Sequence, residues 1–289
     1  MDRVVPKKSL GQHWLHDESV LDAICDSADV QAGDHVLEVG PGLGTLTARL
    51  LARGATVTAV EFDHNLAESL QPKVEKLLRP NLSTHWEDSP PKMGGLDNLK
   101  VVEGDILRFN LQQLPKGYKV VANIPYYLTS NLIRVLCESS NPFSLAAILI
   151  QKEVAERVCA TPGEMSLLSV SAQYYCETRL GIFVPKQLFT PPPKVDSQVL
   201  ELAFRDAPLY ADTDGKEFFR LVKAGFSQKR KTLLNSLSAG LQLSKDDTKA
   251  LLERAHITPT TRAQALSLDD WHRLYRKELT TFATLSKVS

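Results

Sequence analysis

Glu38-Val39-Gly40-Pro41-Gly42-Leu43-Gly44-Thr45 closes the apolar run 35–39 and opens a helical pattern at about Thr45. A glycine-rich turn between a strand and a helix gathers backbone N–H groups and a helix N-terminus at the strand's carboxyl end, where nucleotide-bearing ligands bind. The dinucleotide fingerprint needs glycines at 40, 42 and 45. Position 45 is threonine and the third glycine stands at 44, which argues against pyrophosphate binding. A tight turn requiring positive φ accounts for the same residues without a ligand.

Outward from this turn, short apolar runs at 35–39, 57–62, 99–102, 118–122 and 145–150 alternate with helical patterns at 46–52, 65–78, 128–137 and 153–158. Such alternation specifies an α/β fold with a doubly wound, mainly parallel sheet that binds ligands outside the strands' carboxyl ends. Two β-rich runs, 180–184 and 195–204, flank Pro191-Pro192-Pro193 and read as an antiparallel pair closing one edge. From Asp212 the pattern turns helical, at 218–226, 229–237, 245–255 and 269–281. The expected organisation is one domain over 1–207 and a small helical domain over 208–289. The segment 79–98 has three prolines, two adjacent glycines and no period, and reads as a mobile excursion.

With 289 residues and 43% hydrophobic content, the chain has the composition of a soluble globular protein. No apolar run approaches the roughly 20 residues of a membrane helix, and the N-terminus lacks a signal-peptide core, so a cytoplasmic protein without a membrane partner is expected. The cysteines Cys25, Cys137, Cys159 and Cys176 form no Cys-x-x-Cys pair, which points to reduced thiols and away from structural zinc. His13 and His16 lack an evident third ligand, so no metal is expected. Basic and acidic residues balance at 34 each, with a net +4 from Asp206 onward and −4 before it. A solvated surface and a binding patch explain that asymmetry equally well.

The strand ends carry the candidate chemistry. Glu61 closes the second strand about 20 residues after the glycine turn, where an acid can accept both hydroxyls of a ribose. Asp105 follows the third strand and could accept a hydrogen bond from an adenine amine. Either acid alone is more often a helix cap; three successive strands ending this way favour methyl transfer from S-adenosylmethionine over hydride transfer. The fourth strand runs into Asn123-Ile124-Pro125-Tyr126-Tyr127, an amide, a carbonyl and an aromatic face suited to a planar amine. Proline biases Ile124 toward extended geometry and removes one backbone donor. The alternative is a turn in which Asn123 caps the helix beginning near Leu128.

With these stand Lys8-Ser9-Leu10-Gly11-Gln12-His13-Trp14-Leu15-His16-Asp17, Gln151-Lys152-Glu153-Val154, Phe189-Thr190-Pro191-Pro192-Pro193-Lys194-Val195-Asp196-Ser197 and Phe226-Ser227-Gln228-Lys229-Arg230-Lys231-Thr232. In all these segments the chain resembles the ribosomal RNA adenine dimethyltransferase family, most closely its bacterial small-subunit methyltransferase A group. The resemblance implies a Rossmann-like class I methyltransferase sheet with a C-terminal helical RNA-binding domain. Gln12, His13 and Leu15 would line the cofactor pocket, Gly40 approach the methionine end, Glu61 hold the ribose and Asp105 meet the adenine amine. Asn123 would bridge cofactor and target. Relatives usually carry asparagine at the position of His13, and bacterial relatives often carry asparagine at that of Tyr127.

The implied chemistry is methylation of two adjacent adenines in a hairpin near the 3′ end of small-subunit rRNA. The Asn123 side-chain oxygen and the Ile124 carbonyl would accept the amine protons and aim the lone pair at the methyl group. Tyr126 would stack on an unstacked base. Phe189 would form a second wall, or else anchor its loop in the core. Lys223, Lys229, Arg230 and Lys231, with Lys7 and Lys8 as further candidates, would neutralise phosphates, although each also reads as part of a solvated face. The partner is then rRNA in an assembling small subunit, engaged by a monomer. Competing readings are a large-subunit adenine methyltransferase of the resistance type and an assembly factor that binds RNA without needing catalysis.

Overall fold

The computed structural model describes residues 11–79 and 95–285, with side chains through residue 278. Lys7, Lys8 and positions 80–94 of the proline-containing excursion lie outside the described residues.

Seven strands form the main sheet in the order β4-β3-β2-β5-β6-β9-β7: β2 (His35–Val39), β3 (Thr56–Glu61), β4 (Leu99–Glu103), β5 (Lys119–Asn123), β6 (Leu145–Gln151), β7 (Cys176–Val184) and β9 (Ser197–Phe204). The first five are parallel, and β9 and β7 add the antiparallel edge. Buried on both faces, β2, β3, β5 and β6 are near-continuous apolar runs, as strands of a covered parallel sheet must be. Helices α1 (Glu18–Ser27), α2 (Thr45–Ala52) and α3 (His64–Leu78) pack in succession along the sheet. Their apolar faces, including Leu21, Ile24, Leu50, Leu51, Leu70 and Val74, close one core with Val36, Val57, Val121 and Leu149 of the strands.

Strand order reverses between β2 and β5: from β2 the chain winds outward through β3 to β4, then returns to β5 on the other side of β2. Such a switch point opens a crevice at the strands' carboxyl ends. Gly44, the third glycine of the turn, serves packing here. It caps α2 at φ +81°, and a Cβ on it would sit 2.7 Å from Val74 Cγ2 and 3.0 Å from Leu70 Cδ1 of α3. The residue one place early for pyrophosphate binding is thus glycine because two helices converge on it.

A second, two-stranded sheet has no counterpart in the sequence reading. β1 (Trp14–Leu15) pairs antiparallel with β8 (Phe189–Thr190), Trp14 opposite Thr190 and Leu15 opposite Phe189. Leu15 and Phe189 are both buried in the main core.

The chain divides into two compact units. The first comprises the described residues up to Glu156 together with Cys176–Phe204; the second comprises Arg157–Tyr175 and the described residues from Arg205 onward. A single boundary at 207 does not express this division, because α6 (Leu167–Tyr175) packs with the C-terminal helices. Tyr174 stacks on Phe218 at 4.9 Å and meets Phe219 edge-on at 5.2 Å. The second unit also contains α7 (Gly215–Phe226), α8 (Leu233–Leu241), α9 (Lys245–Arg254) and α10 (Leu268–Leu285) around buried Trp271 and Tyr275. α8 starts four residues later than its apolar pattern suggests. Lys231 N–H donates to Gln228 O in a turn, and Leu233 N–H is drawn to Thr261 O at 2.7 Å.

Candidate active site

One cavity in the first unit is bordered by Gln12, His13, Leu15, Gly40, Glu61, Asp105, Asn123, Ile124, Pro125, Tyr126 and Phe189. Every residue expected at the cofactor and target positions therefore faces the same space. The parallel sheet brings Gly40, Glu61, Asp105 and the Asn123–Tyr126 stretch together, because each follows or ends one of its strands at the carboxyl end, while Gln12, His13, Leu15 and Phe189 come with the β1–β8 pair.

Val39 and Ala122 are register partners across β2 and β5, which sets the next residues, Gly40 and Asn123, side by side at the switch point. A Cβ on Gly40 would lie 3.9 Å from the Asn123 backbone oxygen. The Asn123 carboxamide is half-buried and has no hydrogen-bond partner among the described residues. It does not cap the following helix, and the cap of the 3₁₀ turn Tyr126–Leu128 is Pro125. Leu128 N–H instead donates to Pro125 O at 3.0 Å. Ile124 anchors this corner with a side chain only 3% exposed.

Glu61 is buried at the end of β3. Its Oε1 accepts from Asp63 N–H at 2.9 Å and its Oε2 from Gly42 N–H at 3.1 Å, fastening the glycine turn to the neighbouring strand. Burial raises its pKa above the usual carboxylate value, while the Asp63 and Gly42 N–H groups oppose that rise. Asp105 divides its oxygens. Oδ1 accepts from Leu107 N–H at 2.9 Å and caps a 3₁₀ turn, while Oδ2 has only Arg108 at 3.9 Å. The capping and ligand readings of Asp105 are compatible, one oxygen for each.

The two-stranded sheet carries the opposite wall. His13 Nδ1 lies 2.7 Å from Pro191 O, and its ring is near-parallel to Tyr126 at 6.1 Å. The Tyr126 hydroxyl bonds Ser197 Oγ at 2.9 Å, and burial raises the pKa of this phenol above its ordinary value, with the Ser197 bond opposing the rise. Phe189, at 4% exposure, is largely committed to the core, so anchoring its loop is its main visible work even though it borders the cavity.

Two lining residues escaped the sequence reading as functional candidates. Phe62, directly after Glu61, is 64% exposed at the cavity; its position after the acid was the available signal. Glu38 is the other, a carboxyl 1% exposed within the central strand β2. Neither of its oxygens has a hydrogen-bond partner among the described residues, and the nearby Thr47 hydroxyl is also unpartnered. Burial lifts the Glu38 pKa to about 8, and the Glu61 carboxyl adds to the rise against the polar influence of Thr47. A folded-state pKa above the unfolded value of 4.5 means that the folded chain holds this proton more tightly. The stabilisation is complete below about pH 4.5 and is lost as pH rises through about 8. The melting temperature of the ligand-free protein should therefore fall more between about pH 5 and about pH 9 than that of Glu38→Gln. Parallel melting curves for the two proteins across that interval would refute the assignment.

Lys223, Lys229, Arg230 and Lys231 belong to the second unit and do not line this cavity. All four are exposed and without ion pairs among the described residues. Lys223 is on α7, whereas Lys229, Arg230 and Lys231 occupy the turn before α8.

The model of the family described as ribosomal RNA adenine dimethylase matches residues 5–279. The chain belongs to the ribosomal RNA adenine dimethylase family. Relatives include a ribosomal RNA small subunit methyltransferase A from Dehalococcoides mccartyi, 38% identical over 273 residues, covering 93% of this chain and 87% of the relative. The protein of that name from Clostridioides difficile is 38% identical over 272 residues, covering 91% and 88%. Among solved structures, a dimethyladenosine transferase from Plasmodium falciparum matches with a TM-score of 0.70 at 27% identity, over 91% of this chain and 98% of that one. The 23S rRNA methyltransferase ErmE matches with a TM-score of 0.66 at the same identity and coverage. In this dimethylase, then, the mostly parallel sheet with its antiparallel edge is the methyltransferase scaffold. No helix among the described residues is long and apolar enough to cross a membrane.

Proposed function

We propose that this chain transfers methyl groups from S-adenosylmethionine to the N6 amines of two adjacent adenines in a hairpin near the 3′ end of small-subunit rRNA, during ribosome assembly. The observation that carries the reading is the unpartnered Asn123 carboxamide beside Gly40 at the β2/β5 switch point.

The residues present suit a cationic nucleoside cofactor. Glu61 and Asp105 give the lining its acidic groups, and Glu38, kept protonated up to about pH 8 by burial, is an orphaned buried carboxyl whose ionised form a positive ligand would favour. Glu61 would accept from the ribose hydroxyls, Asp105 Oδ2 from the adenine amine, and the exposed Phe62 ring would offer a face to the adenine. When bound, S-adenosylmethionine supplies an electrophilic methyl group on a positively charged sulfur.

The chain's own part is to hold a poor nucleophile in a reactive shape. An exocyclic adenine amine delocalises its lone pair into the ring. Acceptance of its two N–H groups by the Asn123 oxygen and the Ile124 carbonyl lets the nitrogen pyramidalise with its lone pair free. Tyr126, fixed by Ser197 and His13, provides the stacking face for the extruded base. Tyr126 stays a neutral phenol and is no base. The amine proton leaves after transfer, once the nitrogen is cationic. The cations Lys223, Lys229, Arg230 and Lys231 supply phosphate contacts from the second unit.

Sequence favours the small-subunit substrate, since curated relatives 38% identical over more than nine-tenths of the chain bear that name. Fold alone does not choose, with the ErmE TM-score of 0.66 close to the 0.70 of the dimethyladenosine transferase. Incubation with labelled S-adenosylmethionine and unmodified small subunits should place label on two adjacent adenines. Label confined to large subunits would favour the resistance-type reading, and cofactor binding without label the assembly-factor reading.

A further inference from the structure

The turn Tyr126–Leu128 presents two aromatic side chains to the same cavity, and they are held in opposite ways. Tyr126 is half-buried, hydrogen-bonded through its hydroxyl to Ser197 and near-parallel to His13. Tyr127 is 65% exposed and makes no hydrogen bond, ion pair or ring contact among the described residues. It is not a loose side chain, however. The backbone of Gly11 stands beside one edge of its ring, where an added Cβ would be in ordinary van der Waals contact with Tyr127 Cδ1 at 3.8 Å, Cε1 at 3.9 Å and Pro125 Cβ at 3.6 Å. One edge of the ring is thus bordered by the chain, and much of the remainder is open to water at the cavity mouth.

A 3₁₀ turn rotates successive residues by about 120°, so neighbours on it point apart while their Cα atoms stay about 3.8 Å from each other. A base drawn out of its stack onto Tyr126 deprives the adjacent base of its stacking partner. The ring one residue along, bordered at one edge and largely bare elsewhere, offers a replacement of the right chemistry, because every nucleobase has a face that stacks on an aromatic side chain.

We propose that Tyr127 is a stacking platform for the nucleotide next to the target adenine, and so a substrate-positioning residue for the RNA. The proposal rests on the adenine-methyltransferase reading. It assigns Tyr127 to RNA binding, separate from the proton-accepting work of Asn123 and Ile124.

The test uses the full chain and an RNA hairpin in which 2-aminopurine, which has no N6 amine to methylate, replaces the adenine beside a single target. Binding of wild type should change the probe's fluorescence, and Tyr127→Phe should retain that change. In Tyr127→Ala the change should be lost, and the RNA KM should rise about ten- to a hundredfold, the loss of one base–aromatic stack. kcat should change much less, and cofactor affinity should stay at the wild-type value. Methylation by wild type with an unchanged KM in Tyr127→Ala would overturn the proposal alone. Equal defects in Tyr127→Phe and Tyr127→Ala would overturn stacking in favour of a hydroxyl contact. A wild type that binds the hairpin and methylates no adenine in any RNA would overturn the activity reading beneath it.

Discussion

Asn123→Ala is expected to slow methyl transfer by about a hundred- to a thousandfold, the scale of losing one preorganised polar group at a reacting centre. Cofactor affinity should stay within about threefold of wild type, because the lost amide makes its main contribution where the amine changes shape in the transition state. The structure sharpens the expectation in one respect. The carboxamide has no hydrogen-bond partner among the described residues, so its removal strands no donor or acceptor there, and the stability of the variant should stay within about 1 kcal/mol of wild type. Rapid-quench kinetics at saturating cofactor, beside calorimetric cofactor titration, would check both halves. A variant that transfers methyl groups at the wild-type rate would remove Asn123 from the mechanism.

Glu61→Ala is expected to do the reverse, weakening cofactor binding by about a hundredfold, the worth of two hydrogen bonds to a charged acceptor. The side chain is doubly employed. Besides standing where a ribose would lie, it accepts Gly42 N–H and Asp63 N–H, so alanine also releases the glycine turn from the end of β3. Glu61→Gln keeps one carbonyl acceptor but turns an amide donor toward N–H groups, and should recover little of the loss. Calorimetric titration of the two variants beside Asn123→Ala is the direct comparison. Equal loss of affinity in Asn123→Ala and Glu61→Ala would dissolve the separation between amine and cofactor duties.

Gly40, Glu61, Asp105 and Asn123 were legible because a parallel sheet concentrates chemistry at one end of each strand, and strand ends can be counted from apolar runs. Glu38 was not, since an acid inside a buried strand reads as a solvent-facing position until both neighbouring strands are known. The β1–β8 ladder escaped because two-residue strands have no period to detect. α6 was missed for a related reason. Its Leu-Leu-Ser-Val-Ser-Ala-Gln-Tyr-Tyr sequence alternates Val170, Ala172 and Tyr174 with polar residues, a strand-like period, whereas the helix packs Tyr174 on Phe218 and Phe219. Gly44 was seen as a glycine out of place for a phosphate, while its reason, contact with Val74 and Leu70, lies thirty residues ahead in α3.

The β1–β8 ladder also dates the site within the life of the chain. Trp14 and Thr190 are about 175 residues apart, so the two strands of one cavity wall leave the ribosome well separated in time. β9 is later still, and it must slot between β6 and β7 before the sheet is whole. A growing chain therefore carries the glycine turn, Glu61, Asp105 and Asn123 long before it can enclose anything between them. Contacts that span so much sequence form late and slowly, and the cavity is enclosed only after the distant β8 segment has been made and has found β1.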